Sequence, residues 1–97
     1  MNFKTSAIYI LANKPNGTIY TGVTSNLIQR IYQHKHNMIQ GFTQKYGCKL
    51  LVYYELMENI IVAIEREKQI KSGSRIKKIN LITKSNPKWK DLYQELL

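Results

Sequence analysis

The sequence predicts an α+β fold, a small three-stranded antiparallel sheet flanked by helices. Two short apolar runs flank a turn sequence, a third apolar run stands alone later in the chain, and the remaining segments repeat at three and four residues. The resulting order is ββα–β–αα. With 97 residues there is room for one domain, residues 1–97, around one modest core.

The first strand is Ala7-Ile8-Tyr9-Ile10-Leu11-Ala12, short, apolar and aromatic. Lys14-Pro15-Asn16-Gly17 follows as turn chemistry, since Pro fixes φ and Asn-Gly accepts left-handed conformations. The second strand, Thr18 to Val23, folds back as its hairpin partner. Thr24-Ser25-Asn26 offers N-caps for a helix from Leu27 to Met38, which Gly41 closes. A short turn or helix near Phe42–Tyr46 precedes the third strand, Lys49 to Glu55. Glu58 and Asn59 can cap a helix from Ile60 to Lys71, ended by Ser72-Gly73. Ser74 to Lys84 reads as a further helix. Asn86-Pro87 opens a terminal one, with Trp89, Leu92, Tyr93 and Leu96 available for packing.

Charge narrows the function classes. Fifteen Lys+Arg against six Asp+Glu give +9, a field that favours polyanions and makes nucleic acid the first partner to expect. The single cysteine, Cys48, excludes an internal disulfide framework and fits a reducing cytoplasm. No apolar run approaches membrane-spanning length, and a membrane partner is not expected. All six acids lie in residues 55–97, so a site that needs a carboxylate must draw it from the second half.

Glu67 is the most informative of them. It follows Ala63 by four and Ile64 by three and precedes Ile70 by three, which places it within the apolar stripe of its helix. A carboxylate there faces the sheet and is costly unless paired or metal-bound. The ordinary alternative is an i,i+4 pair with Lys71. Arg30 and His34 are also four apart, at the edge of a buried stripe formed by Leu27, Ile31 and Met38. They could grip a phosphate and move a proton, or be an unremarked half-exposed pair. Tyr9 and Tyr20 fall on the two hairpin strands. Lys35, Lys68, Lys71 and Arg75 supply cations for tracking a phosphate backbone, and could equally be solvated helix faces. His34, His36 and Cys48 have no zinc spacing.

Taken together, these residues resemble the GIY-YIG nuclease domain over nearly the whole chain. The first motif stands as Ala7-Ile8-Tyr9 and the second as Tyr20-Thr21-Gly22, followed by Arg30 and His34 in order. Ala63 to Lys71 is similar to the family's helix bearing the metal-binding glutamate, and Asn80 falls where many members have an asparagine. The ending Asn86-Pro87-Lys88-Trp89 resembles small stand-alone bacterial members, and the whole is similar to the N-terminal nuclease domain of the excision-repair nuclease subunit. Ala7 replaces the motif glycine, Thr21 the motif isoleucine, and Val23 a lysine present in some relatives.

The resemblance implies a metal-dependent endonuclease that hydrolyses phosphodiester bonds in DNA, with Mg²⁺ or Mn²⁺ on Glu67. Arg30 would stabilise phosphoryl charge, and Tyr9, Tyr20 or His34 would serve the attacking water. Single-stranded, duplex and branched DNA all remain open as substrates. Low sequence specificity is expected, with a larger repair complex as a further partner class. The alternative is a non-catalytic nucleic-acid-binding or interaction module that retains the fold.

Overall fold

A computed structural model describes residues 5–97. Its order is β1 (Ser6–Ala12), β2 (Ile19–Thr24), α1 (Leu27–Lys35), α2 (Phe42–Tyr46), β3 (Leu50–Met57), α3 (Ile60–Lys71), α4 (Arg75–Ser85) and a 3₁₀ turn, Tyr93–Leu96. The sheet is antiparallel with strand order β2-β1-β3. This is the expected three-stranded α+β arrangement.

β1 is central, which is why it reads as a continuous apolar run instead of alternating. Ile8, Ile10 and Ala12 pack against Val52, Ala63, Ile70, Ile82 and Trp89 on one face. Ala7, Tyr9 and Leu11 pack against Leu27, Ile31, Cys48 and Leu51 on the other. A register shift between Ile10 and Leu11 against β3 puts Val52 and Tyr53 on the first of these faces together, and Tyr54 on the second. β2 keeps a free edge, and the functional candidates gather there.

The caps follow the sequence. Asn26 accepts from the Gln29 N–H, Asn59 from the Val62 N–H and Ser74 from the Lys77 N–H, one helix start each. The β1–β2 turn closes with Asn16 at φ 58° and the Gly17 N–H donating to Lys14 O at 3.0 Å.

Two expectations fail. α1 ends at Lys35, not Met38, because Asn37 takes a left-handed conformation at φ 55° and stops the helix before Gly41. Met38 is consequently 62% exposed, and the third buried position of the stripe is His34. The terminal helix opening at Pro87 is also absent. Trp89 turns left-handed at φ 55°, and the chain stays irregular until the 3₁₀ turn. Asn86 organises this segment instead: its amide donates to Val52 O and Lys90 O and accepts from the Lys90 N–H. Trp89, Leu92, Tyr93 and Leu96 still pack on the sheet as expected, without a helix to carry them.

Candidate functional site

Tyr9 and Tyr20 project to one face of the hairpin. Leu11 pairs with Tyr20 and Tyr9 with Gly22, and cross-strand partners share a face. α1 packs on that face and brings His34 against both rings. The centroid distances are 6.4 Å for Tyr9–Tyr20, 5.7 Å for Tyr9–His34 and 6.0 Å for Tyr20–His34. Gly22 makes the arrangement sterically possible. A Cβ built there would lie 2.5 Å from the Tyr9 hydroxyl oxygen, so only glycine leaves space for the ring.

The polar groups of this cluster form a chain. The Tyr9 hydroxyl lies 3.0 Å from His34 Nε2, and His34 Nδ1 lies 3.0 Å from Thr43 Oγ1 on α2. Either Tyr9 donates to Nε2 and Nδ1–H donates to Thr43, or Thr43 donates to Nδ1 and Nε2–H donates to Tyr9. Both tautomers keep the buried ring fully paired. Burial, reinforced by neighbouring Tyr20 and Glu67 and opposed by the Arg30 charge, holds the Tyr9 hydroxyl well above the usual phenol range. Burial first and the Arg30 guanidinium second bring His34 down to about 4. At neutral pH the pair is therefore a phenol and an uncharged imidazole. Half-buried Arg30 forms no ion pair among the described residues.

Glu67 approaches from the opposite side of the sheet. α3 buries Ala63 and Ile70 there, and Glu67 stands between them in the helical stripe with its side chain 14% exposed. Ile60 and Ile64 point outward, so the stripe is narrower than the apolar spacing predicts. Lys71 Nζ lies 3.4 Å from the Glu67 carboxylate and 6.0 Å from the Tyr20 ring centroid. The Lys71 ammonium, paired with Glu67 on α3, thus reaches Tyr20 around the free edge of β2. A cleft of about 260 Å³ opens at this edge, lined by Ile19, Tyr20, Thr21, Phe42, Lys71 and Lys78.

The structure brings together Tyr9, Tyr20, Arg30, His34, Glu67 and Lys71. It does not bring in Lys35, whose ammonium pairs with Asp91 and donates to Lys49 O at 2.9 Å. Arg75 clamps the β1–β2 turn through the carbonyls of Asn16 and Gly17. Lys68 and Asn80 are exposed on α3 and α4. Thr43 is the member of the cluster that sequence reasoning missed. Its neighbours in α2 are exposed, so no periodicity marks it, and only the fold shows it against His34.

The donor set bears on a metal. Among the described residues no group of three His, Cys, Asp or Glu side chains could hold one, which does not fit a zinc-type site. The single carboxylate of Glu67, next to the cleft through its pair with Lys71, does fit a hard divalent ion, which keeps water and phosphate oxygens as its remaining ligands.

A family model described as the GIY-YIG catalytic domain matches residues 5–80. The chain is 36% identical over 89 residues to a UPF0213 protein of Clostridium perfringens, across 92% of this chain and 95% of that one. It is 36% identical over 76 residues to a UPF0213 protein of Staphylococcus saprophyticus, across 78% and 92%. The solution NMR structure of a UPF0213 protein from Bacillus halodurans superposes with a TM-score of 0.51 at 29% identity, across 81% of this chain and 83% of that one.

Proposed function

The chain belongs to the GIY-YIG nuclease family, and from that premise we propose that it is a metal-dependent endonuclease hydrolysing DNA phosphodiester bonds, with residues 1–97 as one domain. The observation that supports this best is the buried Tyr9–His34–Thr43 chain beside the carboxylate of Glu67 and an Arg30 that forms no ion pair among the described residues. A fold needing only packing at Tyr9 has no use for a buried, fully paired polar chain in the field of the Arg30 guanidinium.

Arg30 receives the scissile phosphate, as a charge-assisted partner for its oxygens. That contact also tunes His34. Arg30 is one of the two causes of its low basicity, so a bound phosphate neutralising Arg30 makes the imidazole a better proton acceptor when substrate is present. The Tyr9 oxygen takes the proton of the attacking water while the Tyr9 O–H proton passes to His34 Nε2. Thr43 accepts from Nδ1–H and holds the tautomer this requires. Tyr20 forms the wall of the cleft and, with Lys71, positions the strand. Glu67 is the residue to hold Mg²⁺ or Mn²⁺, and such an ion supplies Lewis-acid stabilisation of the leaving oxygen when bound.

The Lys71–Glu67 ion pair favours a second reading, a nucleic-acid-binding module in which that carboxylate is structural. Nicking of labelled single-stranded, duplex and flap DNA with Mg²⁺ or Mn²⁺ separates the two. Under the nuclease reading Glu67→Gln lowers cleavage by at least about 10²-fold, and EDTA abolishes it. Retained cleavage in the variant rejects the site; absence of cleavage by wild type with binding intact establishes the module.

A further inference from the structure

The cleft at the β2 edge continues outward as a row of aromatic rings. The Phe42 ring stacks on Tyr20 at 6.0 Å between centroids with planes 29° apart, and the Tyr46 ring follows Phe42 at 4.7 Å. Phe42 and Tyr46 are 45% and 44% exposed and belong to neither core cluster. They sit four apart on α2, a five-residue helix held between Gly41 and Gly47 at φ 118° and 67°, and so share one side of it. Packing does not account for two adjacent aromatics left in solvent.

Cations accompany the rings. Lys45 Nζ lies 5.4 Å from the Tyr46 centroid, Lys71 Nζ lies 6.0 Å from that of Tyr20, and Lys78 lines the cleft below. A row of π faces with ammonium groups at both ends matches a polyanion whose flat groups are exposed. In an intact duplex the base faces are already stacked on one another, so this surface would meet only sugar and phosphate. In an unpaired strand each base offers a face to a ring and each phosphate a charge to a lysine.

We infer that Phe42 and Tyr46, extending Tyr20 out of the lysine-lined cleft, form a stacking platform for unpaired nucleobases, so that the substrate class of the site is single-stranded DNA. The inference rests on the nuclease reading for what happens at the cleft, but the platform itself is tested by binding alone. Fluorescence anisotropy in EDTA compares a short labelled thymidine oligonucleotide, the same backbone without bases, and a blunt duplex. The full chain binds the base-bearing strand about ten-fold more tightly than the abasic one. Phe42→Ala with Tyr46→Ala removes that difference, and the loss for the single strand exceeds the loss for the duplex. Phe42→Leu with Tyr46→Leu, which keeps apolar bulk without a π face, does the same if the alanine variant does not fold. Equal affinity for the abasic strand, or a difference that survives in the leucine variant, overturns the inference. Repeating the comparison with Mg²⁺ keeps the two claims apart. Base-dependent binding without cleavage supports the platform and rejects the nuclease, whereas cleavage with no base-dependent binding does the reverse.

Discussion

Gly22 offers the sharpest test of how the cluster is built. In an ordinary strand position Gly→Ala gains about 0.5–1 kcal/mol, because glycine loses more backbone freedom on folding. Here the new Cβ would stand 2.5 Å from the Tyr9 hydroxyl oxygen and 2.9 Å from its Cε2, against an ordinary contact of at least 3.4 Å. The ring must retreat by about 1 Å into a fully packed surrounding, since Tyr9 is 1% exposed. Overpacking of this kind costs about 1–3 kcal/mol. Retreat also breaks the 3.0 Å bond to His34, for about 1 kcal/mol more. The total is on the order of 3 kcal/mol, or a melting temperature lower by about 15 °C in a domain of this size. Cleavage should fall by about 10²-fold, the usual consequence of a 1 Å displacement in a reacting cluster. A double-mutant cycle isolates the cause. A Tyr9→Leu background removes the ring atoms that the new Cβ would meet, so Gly22→Ala becomes neutral or slightly stabilising. Thermal melting by circular dichroism reads all four proteins. Additive costs, or a Gly22→Ala melting point within about 2 °C of wild type, would refute the steric account.

Two further perturbations test the rest of the fold. Folded His34 titrates near 4 and the unfolded ring near 6.5, so between those values the unfolded chain holds more protons and stability falls as pH is lowered. The contribution is flat above 6.5 and amounts to about 3 kcal/mol below 4. Urea midpoints from pH 8 to pH 5 should decline in wild type and much less in His34→Gln. Glu55, whose carboxyl is held low by its bond to Arg66, loses its own contribution only nearer and below 4.5, outside most of that window; parallel curves would remove His34 as the sensor. Asn86→Ala deletes three hydrogen bonds and leaves Val52 O, Lys90 O and the Lys90 N–H without their partner. The expected cost is on the order of 3 kcal/mol, seen as a melting temperature lower by at least about 10 °C, and a drop below about 3 °C would show the segment to be held by Trp89 packing instead.

The elements legible in the sequence were those whose signals are local. Asn16-Gly17 set the hairpin, Asn26, Asn59 and Ser74 set three helix starts, and the spacing of Ala63, Glu67 and Ile70 placed the carboxylate correctly between two buried positions. The failures occurred where a distant contact overrides local preference. Left-handed Asn37 and Trp89 are the exception, each held by a local turn: Asn37 is of a type that accepts that conformation, but the apolar spacing to Met38 reads straight through it, whereas nothing near Trp89 announces it. His34 reads as a half-exposed helix residue until Tyr9 and Thr43 arrive from other elements to satisfy both ring nitrogens. Lys35 and Arg75 read as free cations, yet the fold spends them on Asp91 and on the carbonyls of the β1–β2 turn.

The two-residue spacing of Tyr20 and Gly22 has a geometric reason that joins sequence to site. Side chains on a strand repeat every second residue, so Tyr20 and Gly22 necessarily share a face. The register pairs Gly22 with Tyr9, which places Tyr20 diagonal to Tyr9 on that same face. One position therefore supplies the second ring, and the position two along supplies the gap into which the first ring fits. Neither can move alone. A one-residue slip of β2 would send Tyr20 to the face where Ala63 and Ile70 pack and put Val23 or Thr21 beneath Tyr9. The β1–β2 turn guards against that slip, with Asn13 Oδ1 accepting from the Thr18 N–H at 2.9 Å and Arg75 bonding the carbonyls of Asn16 and Gly17. Arg75 lies far from the tyrosines in sequence, but by holding the turn it holds the register, and the register holds the rings.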